Sequence, residues 1–232
     1  YESDMRNPRK GGVEGAVLDP RMHRITLWAV LITNIPFLAY LVAVGNPLSW
    51  LVLAISMFAV VAYSMKGLRF KEIPFLDSIT SSTHFVSPAI YGLVLAGALF
   101  TPALWAILIA YFLWGIASHA FGAVQDIQAD REGGLSSIAT AIGAAWTSRF
   151  ALTAYLAAGV VIFFAAGTGK ESWPLFYAAF LALPYAAMVF PFRNLSDADC
   201  ERANRGWRFF LAINFFVGFV VTMLLIVHWV FV

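Results

Sequence analysis

Charged residues are scarce in this 232-residue chain: Asp, Glu, Lys and Arg make up 12% of it, whereas 61% of the residues are hydrophobic. Soluble domains carry about 25% charged residues. So little polar surface cannot cover a soluble fold of this size. The composition therefore excludes a soluble enzyme and a disordered chain, and it predicts an integral membrane protein.

Other absences argue against several classes of function. The single cysteine, Cys200, excludes an intrachain disulfide, and we interpret it as a plain loop thiol. The net charge of +2 is small and gives no reason to expect nucleic acid as a partner. The apolar stretches hold no Asp, Glu or Lys near their centres, unlike most ion-coupled transporters. The last stretch, 207–232, contains no lysine, which excludes the Schiff-base lysine of a retinal protein.

Seven apolar stretches are close to the length of about 20 residues that a helix needs to cross a bilayer. We therefore predict an all-α fold, a multi-pass transmembrane helical bundle that forms a single domain over residues 1–232. The predicted helices are 24–45, 47–64, 84–100, 102–125, 146–167, 173–192 and 207–232.

The charges collect on one side of the predicted bundle. All Lys and Arg except Lys170, 14 of 15, lie in alternate loops or at the helix ends next to them. The same loops hold 12 of the 13 acidic residues, all but Glu171. The positive-inside rule places these loops in the cytoplasm. We expect the active groups at the cytoplasmic mouth of the bundle, in the cell membrane.

Two carboxylates follow the fourth apolar stretch at a spacing of four, Asp126 and Asp130. This spacing places both on one face of a helix end, which Gly133-Gly134 then terminates. Paired carboxylates repel each other unless a cation lies between them, and hard oxygen ligands suit Mg²⁺. The alternative is an ordinary solvated helix end.

A similar pattern opens the chain, where Asp4 is followed by Arg6, Arg9 and Lys10. A metal held by carboxylates beside basic side chains is a site for a diphosphate, because arginine binds phosphate oxygens in a bidentate fashion. The alternative is a basic loop that only fixes topology.

A third group of candidate residues lies where the chain leaves the second apolar stretch. Here Tyr63 is followed by Lys66, Arg69 and Lys71. The bases would add positive charge to the same mouth, and the tyrosine ring could stabilise a carbocation through its π face. An interfacial tyrosine with snorkelling bases explains the residues equally well.

Together these motifs resemble the UbiA-type intramembrane prenyltransferases. Asp126-Ile-Gln-Ala-Asp130 is similar to that family's second aspartate-rich motif, DxxxD, and Tyr63-Ser64 with Lys66 loosely resembles its Tyr-Ser/Thr…Lys/Arg signature. Asp4 matches only the last Asp of the first motif, NDxxDxxxD. The lycopene elongase branch is the most similar, on segments 1–16, 68–78, 80–84, 119–126 and 136–140.

The resemblance implies a nine-helix fold of which this chain holds helices three to nine, without the first two helices and the start of the first motif. It implies Mg²⁺ as cofactor and catalytic roles for Tyr63 and the metal-binding residues Asp4, Asp126 and Asp130. The implied diphosphate-binding residues are Arg9, Lys10, Lys66, Arg69 and Arg131.

The implied donor is dimethylallyl diphosphate, and the implied acceptor is lycopene, extended at both ends to a C50 carotenoid. Within the same chemistry, the acceptor could instead be a quinone precursor, a haem or another lipid. A non-catalytic membrane partner subunit is the alternative from a different class.

Further polar residues receive weaker interpretations. We place His84 among loop residues, and we give His119, about two turns before Asp126, a supporting role beside the metal ligands. Asp77 is a candidate to support the site or to assist proton loss. The acidic residues near the start of the last stretch balance the basic ones, and we interpret them together as a solvated loop: Asp197, Asp199, Glu201, Arg202, Arg205 and Arg208.

Overall fold

A computed structural model describes residues 18–167 and 173–231, and all regular structure within these ranges is helical. Six of the helical segments are long and apolar enough to cross a membrane. The prediction of an all-α, multi-pass membrane bundle is therefore confirmed. The six segments are Pro20–Val44, Pro47–Ser64, Pro102–Val124, Ile138–Ala166, Trp173–Phe192 and Asp197–Val230.

Nine α-helices make up the described bundle, and short 3₁₀ turns lie before the first of them and in two of the connections. In chain order they are α1 His23–Val44, α2 Pro47–Ser64, α3 Leu76–Leu95, α4 Pro102–Val124, α5 Ile127–Glu132, α6 Ile138–Ala166, α7 Trp173–Ala179, α8 Ala182–Val189 and α9 Ala203–Phe231.

Local capping explains why α2 and α4 begin where the sequence predicts. Asn46 Oδ1 accepts hydrogen bonds from the backbone N–H groups of Leu48 and Ser49, at 3.1 and 3.0 Å. The Ser49 hydroxyl accepts in return from Asn46 N–H at 2.8 Å, which completes a capping box. Thr101 caps α4 in a similar way, with proline at the first helical position.

The prediction for α3 is wrong at its start, because the helix begins at Leu76 rather than at residue 84. Its first half is polar, and Asp77, Ser78, Thr80 and Ser82 are all buried inside the bundle. This polar half lies against neighbouring helices instead of forming a loop. The same shift places His84 within α3, so its assignment to a loop is also wrong.

Small residues let the central helices approach closely, as is typical of membrane bundles. A Cβ at Gly115 of α4 would lie 3.0 Å from Ser82 Cβ of α3. A Cβ at Gly159 of α6 would lie 2.8 Å from Ala182 Cβ of α8. Helices α4 and α6 thus form the centre of the bundle, whereas α1 has no buried residue.

Helix α6 is broken at Gly143, whose φ of 80° and ψ of 166° are not helical. The break exposes the N–H of Ala144, which donates to Asp197 Oδ1 at 2.7 Å. Asp197 therefore caps the second part of α6, and the interpretation of the charged residues here as a solvated loop is wrong at Asp197. Cys200, interpreted as a plain loop thiol, lies in a 3₁₀ turn and is buried, with its Sγ 3.7 Å from the carbonyl oxygen of Gln125.

Candidate active site

The two predicted carboxylates lie at the short helix α5, just after the end of α4: Asp126 is the N-cap residue of α5 and Asp130 lies within it. Asp130 N–H donates to the carbonyl oxygen of Asp126 at 2.8 Å, so the two residues are one helical turn apart on the same face. Ile127 and Ala129 are buried on the other face and fix α5 against the bundle. Both residues are partly exposed at the polar end of the bundle, although Oδ1 of Asp126 is buried.

Glycine ends α5 directly after the carboxylates, as the sequence predicts. Gly134 has a φ of 65°, and the N–H of Leu135 donates to the carbonyl oxygen of Asp130 at 2.7 Å. A second bond joins Gly134 N–H to the carbonyl oxygen of Arg131 at 3.1 Å. This is a Schellman motif, and it fixes where the acidic helix stops.

Arg131 connects α5 to the rest of the polar end. Its guanidinium forms an ion pair with Asp197 at 2.8 Å and donates to the carbonyl oxygen of Thr140 at 3.0 Å. Since Asp197 also caps α6 at Ala144, one carboxylate joins α5 to the break in α6. The diphosphate-binding role of Arg131 stays a prediction.

The predicted bases Lys66 and Arg69 lie just after α2. Lys66 is exposed, and Arg69 has left-handed backbone geometry with a φ of 45°. Arg69 Nε lies 3.4 Å from Glu72 Oε1, so a carboxylate partly offsets its charge. Their binding to a diphosphate stays a prediction.

Tyr63 is brought to the end of α4 by a hydrogen bond with His119. The Tyr63 hydroxyl lies 3.3 Å from His119 Nε2. His119 precedes Asp126 by seven residues, which corresponds to about 10 Å along the helix axis. The structure therefore places Tyr63 roughly two turns deeper in the bundle than the carboxylates.

Three further polar residues extend this contact, although the sequence carries only a weak signal that they belong to the site. Ser78 Oγ lies 3.2 Å from His119 Nδ1 and 3.3 Å from Asp77 Oδ1. The His84 ring packs edge-on against the Tyr63 ring, with centroids 5.4 Å apart. The signal in the sequence was a run of polar residues at helical spacing, 77, 80–81 and 84, directly before an apolar stretch.

The donor set on α5 fits a hard divalent cation, because two carboxylates share one partly exposed helix face. The third predicted metal ligand, Asp4, and the predicted phosphate-binding residues Arg9 and Lys10 lie outside the described residues. Within 18–167 and 173–231, no three His, Cys, Asp or Glu side chains come together at metal-binding distances. Metal binding by Asp126 and Asp130 stays a prediction.

An apolar cleft of about 340 Å³ opens between α2, α3 and α4. Ile55 of α2 and Phe112 of α4 line it, eight and seven residues before Tyr63 and His119 respectively. On α3 the cleft is also lined by Thr83, next to His84, so it extends from the polar residues around Tyr63 into the apolar part of the bundle. Its wall suits the chain of a hydrocarbon rather than a polar head.

Comparison with known proteins gives a family match over most of the chain. The family model that matches residues 1–216 is the UbiA prenyltransferase family. The chain is 56% identical over 226 residues to the C(50) beta-cyclic carotenoids biosynthesis protein LbtBC of Dietzia sp. (strain CQ4). That alignment covers 97% of this chain and 51% of the Dietzia protein, so the chain spans about half of that relative's length.

Two further relatives are both named lycopene elongase/hydratase. The protein from Corynebacterium glutamicum is 50% identical, over 97% of this chain and 77% of the relative. The protein from Halobacterium salinarum is 30% identical, over 95% of this chain and 73% of the relative. No solved structure shows a significant match to the chain.

Proposed function

This chain belongs to the UbiA prenyltransferase family, and on that premise we propose that it takes part in carotenoid synthesis by transferring a prenyl group from an allylic diphosphate to lycopene. Dimethylallyl diphosphate is the proposed donor. The single observation that carries the proposal is the pair of carboxylates on one face of α5, at the polar end of an apolar bundle.

The polar end of the bundle would bind the diphosphate. Asp126 and Asp130 would hold Mg²⁺ together with Asp4, and the metal, when bound, would neutralise part of the charge that develops on the leaving group. Lys66, Arg69 and Arg131 would bind the remaining oxygens, along with Arg9 and Lys10. We place this end on the cytoplasmic side of the membrane, because of the distribution of Lys and Arg.

The allylic chain would extend from the polar end into the bundle, toward Tyr63. The tyrosine ring and the surrounding apolar side chains would stabilise the allylic cation and keep bulk water away from it. The cleft at Ile55 and Phe112 would admit the hydrocarbon acceptor from the membrane. A terminal double bond of lycopene would then attack the cation, forming the new carbon–carbon bond.

The experiment is a comparison of acidic residues on the same polar end. Membranes containing the complete natural protein are supplied with dimethylallyl diphosphate, lycopene and Mg²⁺, and added C5 units are measured by mass spectrometry. Asp126→Asn and Asp130→Asn should each lower transfer by on the order of 10³-fold, which corresponds to about 4 kcal/mol of barrier.

Asp199→Asn is the matched control, because Asp199 is an exposed carboxylate in the 3₁₀ turn before α9. It should leave transfer within about twofold of wild type, since a factor of two is under 0.5 kcal/mol. Transfer that survives in both α5 variants would overturn the assignment of the metal ligands.

A further inference from the structure

A partly buried line of polar side chains lies beneath the carboxylates and has no role in diphosphate binding. It runs from Tyr63 through His119 and Ser78 to Asp77, with successive polar atoms 3.3, 3.2 and 3.3 Å apart. Asp77 has no exposed surface, and Ser78 is 1% exposed. Tyr63 and His119 are partly exposed. Burying polar groups in an apolar bundle is costly unless they pair with each other, so this arrangement is specific.

The direction of these hydrogen bonds follows from the acceptor at one end. Asp77 accepts backbone N–H bonds from Ser78 at 2.7 Å and from Ile138 at 2.8 Å, which hold the carboxylate in place. A carboxylate only accepts, so the Ser78 hydroxyl donates to it. The Ser78 oxygen then accepts from Nδ1–H of His119, and the bare Nε2 of His119 accepts the proton of the Tyr63 hydroxyl.

With the hydrogen bonds in this order, the four residues act together as a base, and Tyr63 is the residue through which this base accepts a proton. When the Tyr63 hydroxyl loses its proton to His119 Nε2, the resulting imidazolium is already hydrogen-bonded toward Asp77. The phenol oxygen can then accept a proton from a neighbouring molecule. The same three-part logic, in which a carboxylate orients a histidine that acts as base, is common in enzymes.

His84 supplies a second polar atom at the same place. Its ring packs against Tyr63, and its buried Nε2 has no hydrogen-bond partner within the described ranges. A buried ring nitrogen without a partner is unfavourable. A small polar molecule hydrogen-bonded to His84 Nε2 would satisfy this atom, and water is the smallest.

We propose that Tyr63, His84 and His119 position one water molecule and take its proton when it quenches the carbocation that prenyl transfer leaves on the carotenoid. The inference rests on the proposed function. The water oxygen forms a C–O bond to the cationic carbon, and one water proton passes to the Tyr63 oxygen as the Tyr63 proton moves to His119 Nε2. The products are a carotenoid alcohol and a protonated histidine, which returns its proton to solvent.

Tyr63 and His84 are the catalytic residues of this step, since they contact the water, and His119 accepts the proton through Tyr63. Asp77 and Ser78 are positioning residues that set the orientation of the His119 ring. Without this line of hydrogen-bonded side chains, the cation would instead lose a proton from an adjacent carbon and give an alkene. The ratio of alcohol to alkene is therefore the direct readout.

The test supplies membranes of the complete natural protein with dimethylallyl diphosphate and lycopene in water enriched in ¹⁸O. Mass spectrometry then measures total prenylated product, its alcohol fraction and its ¹⁸O content. Wild type should give an ¹⁸O-labelled alcohol. His119→Phe should retain total transfer within a few-fold but lower the ratio of alcohol to alkene on the order of 10²-fold, the scale of general-base catalysis. Tyr63→Phe should lower the same ratio in the product that it still forms.

Asp77→Asn tests positioning, and it should shift the same ratio with smaller loss of total product than Asp126→Asn causes. His84→Phe is a second variant, in case His119→Phe folds poorly. His228→Phe is the matched control, because His228 Nδ1 is also buried without a hydrogen-bond partner in the described ranges but lies in the last turn of α9. Its ratio should equal that of wild type.

The outcomes separate the two proposals. An unchanged ratio in the His119, His84 and Tyr63 variants would overturn the water-positioning role. So would a wild-type product that is prenylated but carries no ¹⁸O, although prenyl transfer itself would stand. Absence of any prenylated product from wild type, with the protein correctly inserted, would overturn the proposed function and this inference together.

Discussion

Replacing Gly143 by alanine should destabilise the junction between α5 and α6. With a φ of 80° and a ψ of 166°, Gly143 occupies a backbone region that other residues enter only at a cost of about 1–3 kcal/mol. The new Cβ would also lie 3.0 Å from Asp197 Oδ1, the oxygen that accepts Ala144 N–H at 2.7 Å. Weakening that bond costs about 1 kcal/mol more, because Asp197 is partly exposed.

Together these effects should lower the free energy of unfolding by about 3 kcal/mol, or the midpoint of thermal unfolding by roughly 6–12 °C for a chain of this size. The measurement is the loss of helical circular dichroism on heating the detergent-purified protein. Gly92→Ala is the matched control, because Gly92 lies within α3 and a Cβ there meets nothing within 4 Å. It should raise the midpoint slightly or leave it unchanged.

A double-mutant cycle separates the two contributions. In an Asp197→Ala background, Gly143→Ala should cost only its backbone part, since the carboxylate that the Cβ would displace is gone. Strictly additive losses would refute the contact between the Cβ and Asp197. A Gly143→Ala protein that unfolds at the wild-type temperature would refute the whole argument.

Three more predictions concern packing, capping and the metal. Gly159→Leu should cost at least about 1–3 kcal/mol of stability through overpacking, because a Cβ there already lies 2.8 Å from Ala182 Cβ; chemical denaturation checks this, and unchanged stability would contradict the close approach of α6 and α8. Ser137→Ala should cost about 1 kcal/mol, since Ser137 Oγ caps α6 by accepting from Thr140 N–H at 3.2 Å; thermal unfolding measures it, with the exposed neighbour Ser136→Ala as control. Chelation by EDTA should abolish prenyl transfer and excess Mg²⁺ should restore it; transfer that continues in EDTA would exclude a metal requirement.

Sequence reasoning predicts best where a local signal begins or ends a helix. Asn46-Pro47 and Thr101-Pro102 each combine a capping side chain with a proline at the first helical position, so α2 and α4 begin at the predicted residues. The pair Gly133-Gly134 likewise ends α5 after Asp130. These features depend on neighbours in the chain, which the sequence states directly.

Features that depend on distant partners are the ones the sequence does not reveal. Asp77 and Ser78 look like loop residues until Ile138 and His119 are known to lie against them. Asp197 appears solvated because its two partners, Ala144 and Arg131, lie 53 and 66 positions away in the chain. Such pairs cannot be predicted from hydropathy, because hydropathy describes each segment separately and does not show which of its faces contacts another helix.

The most direct measurement is the mass of the product formed in membranes of cells that express the complete natural protein. Dimethylallyl diphosphate is added with lycopene, or separately with a quinone precursor, each with and without Mg²⁺. We predict C45 and C50 products from lycopene only when Mg²⁺ is present, and no product from the quinone precursor. Prenylation of the quinone precursor but not of lycopene would contradict the proposed acceptor, and failure of both transfers would contradict prenyl transfer to either acceptor.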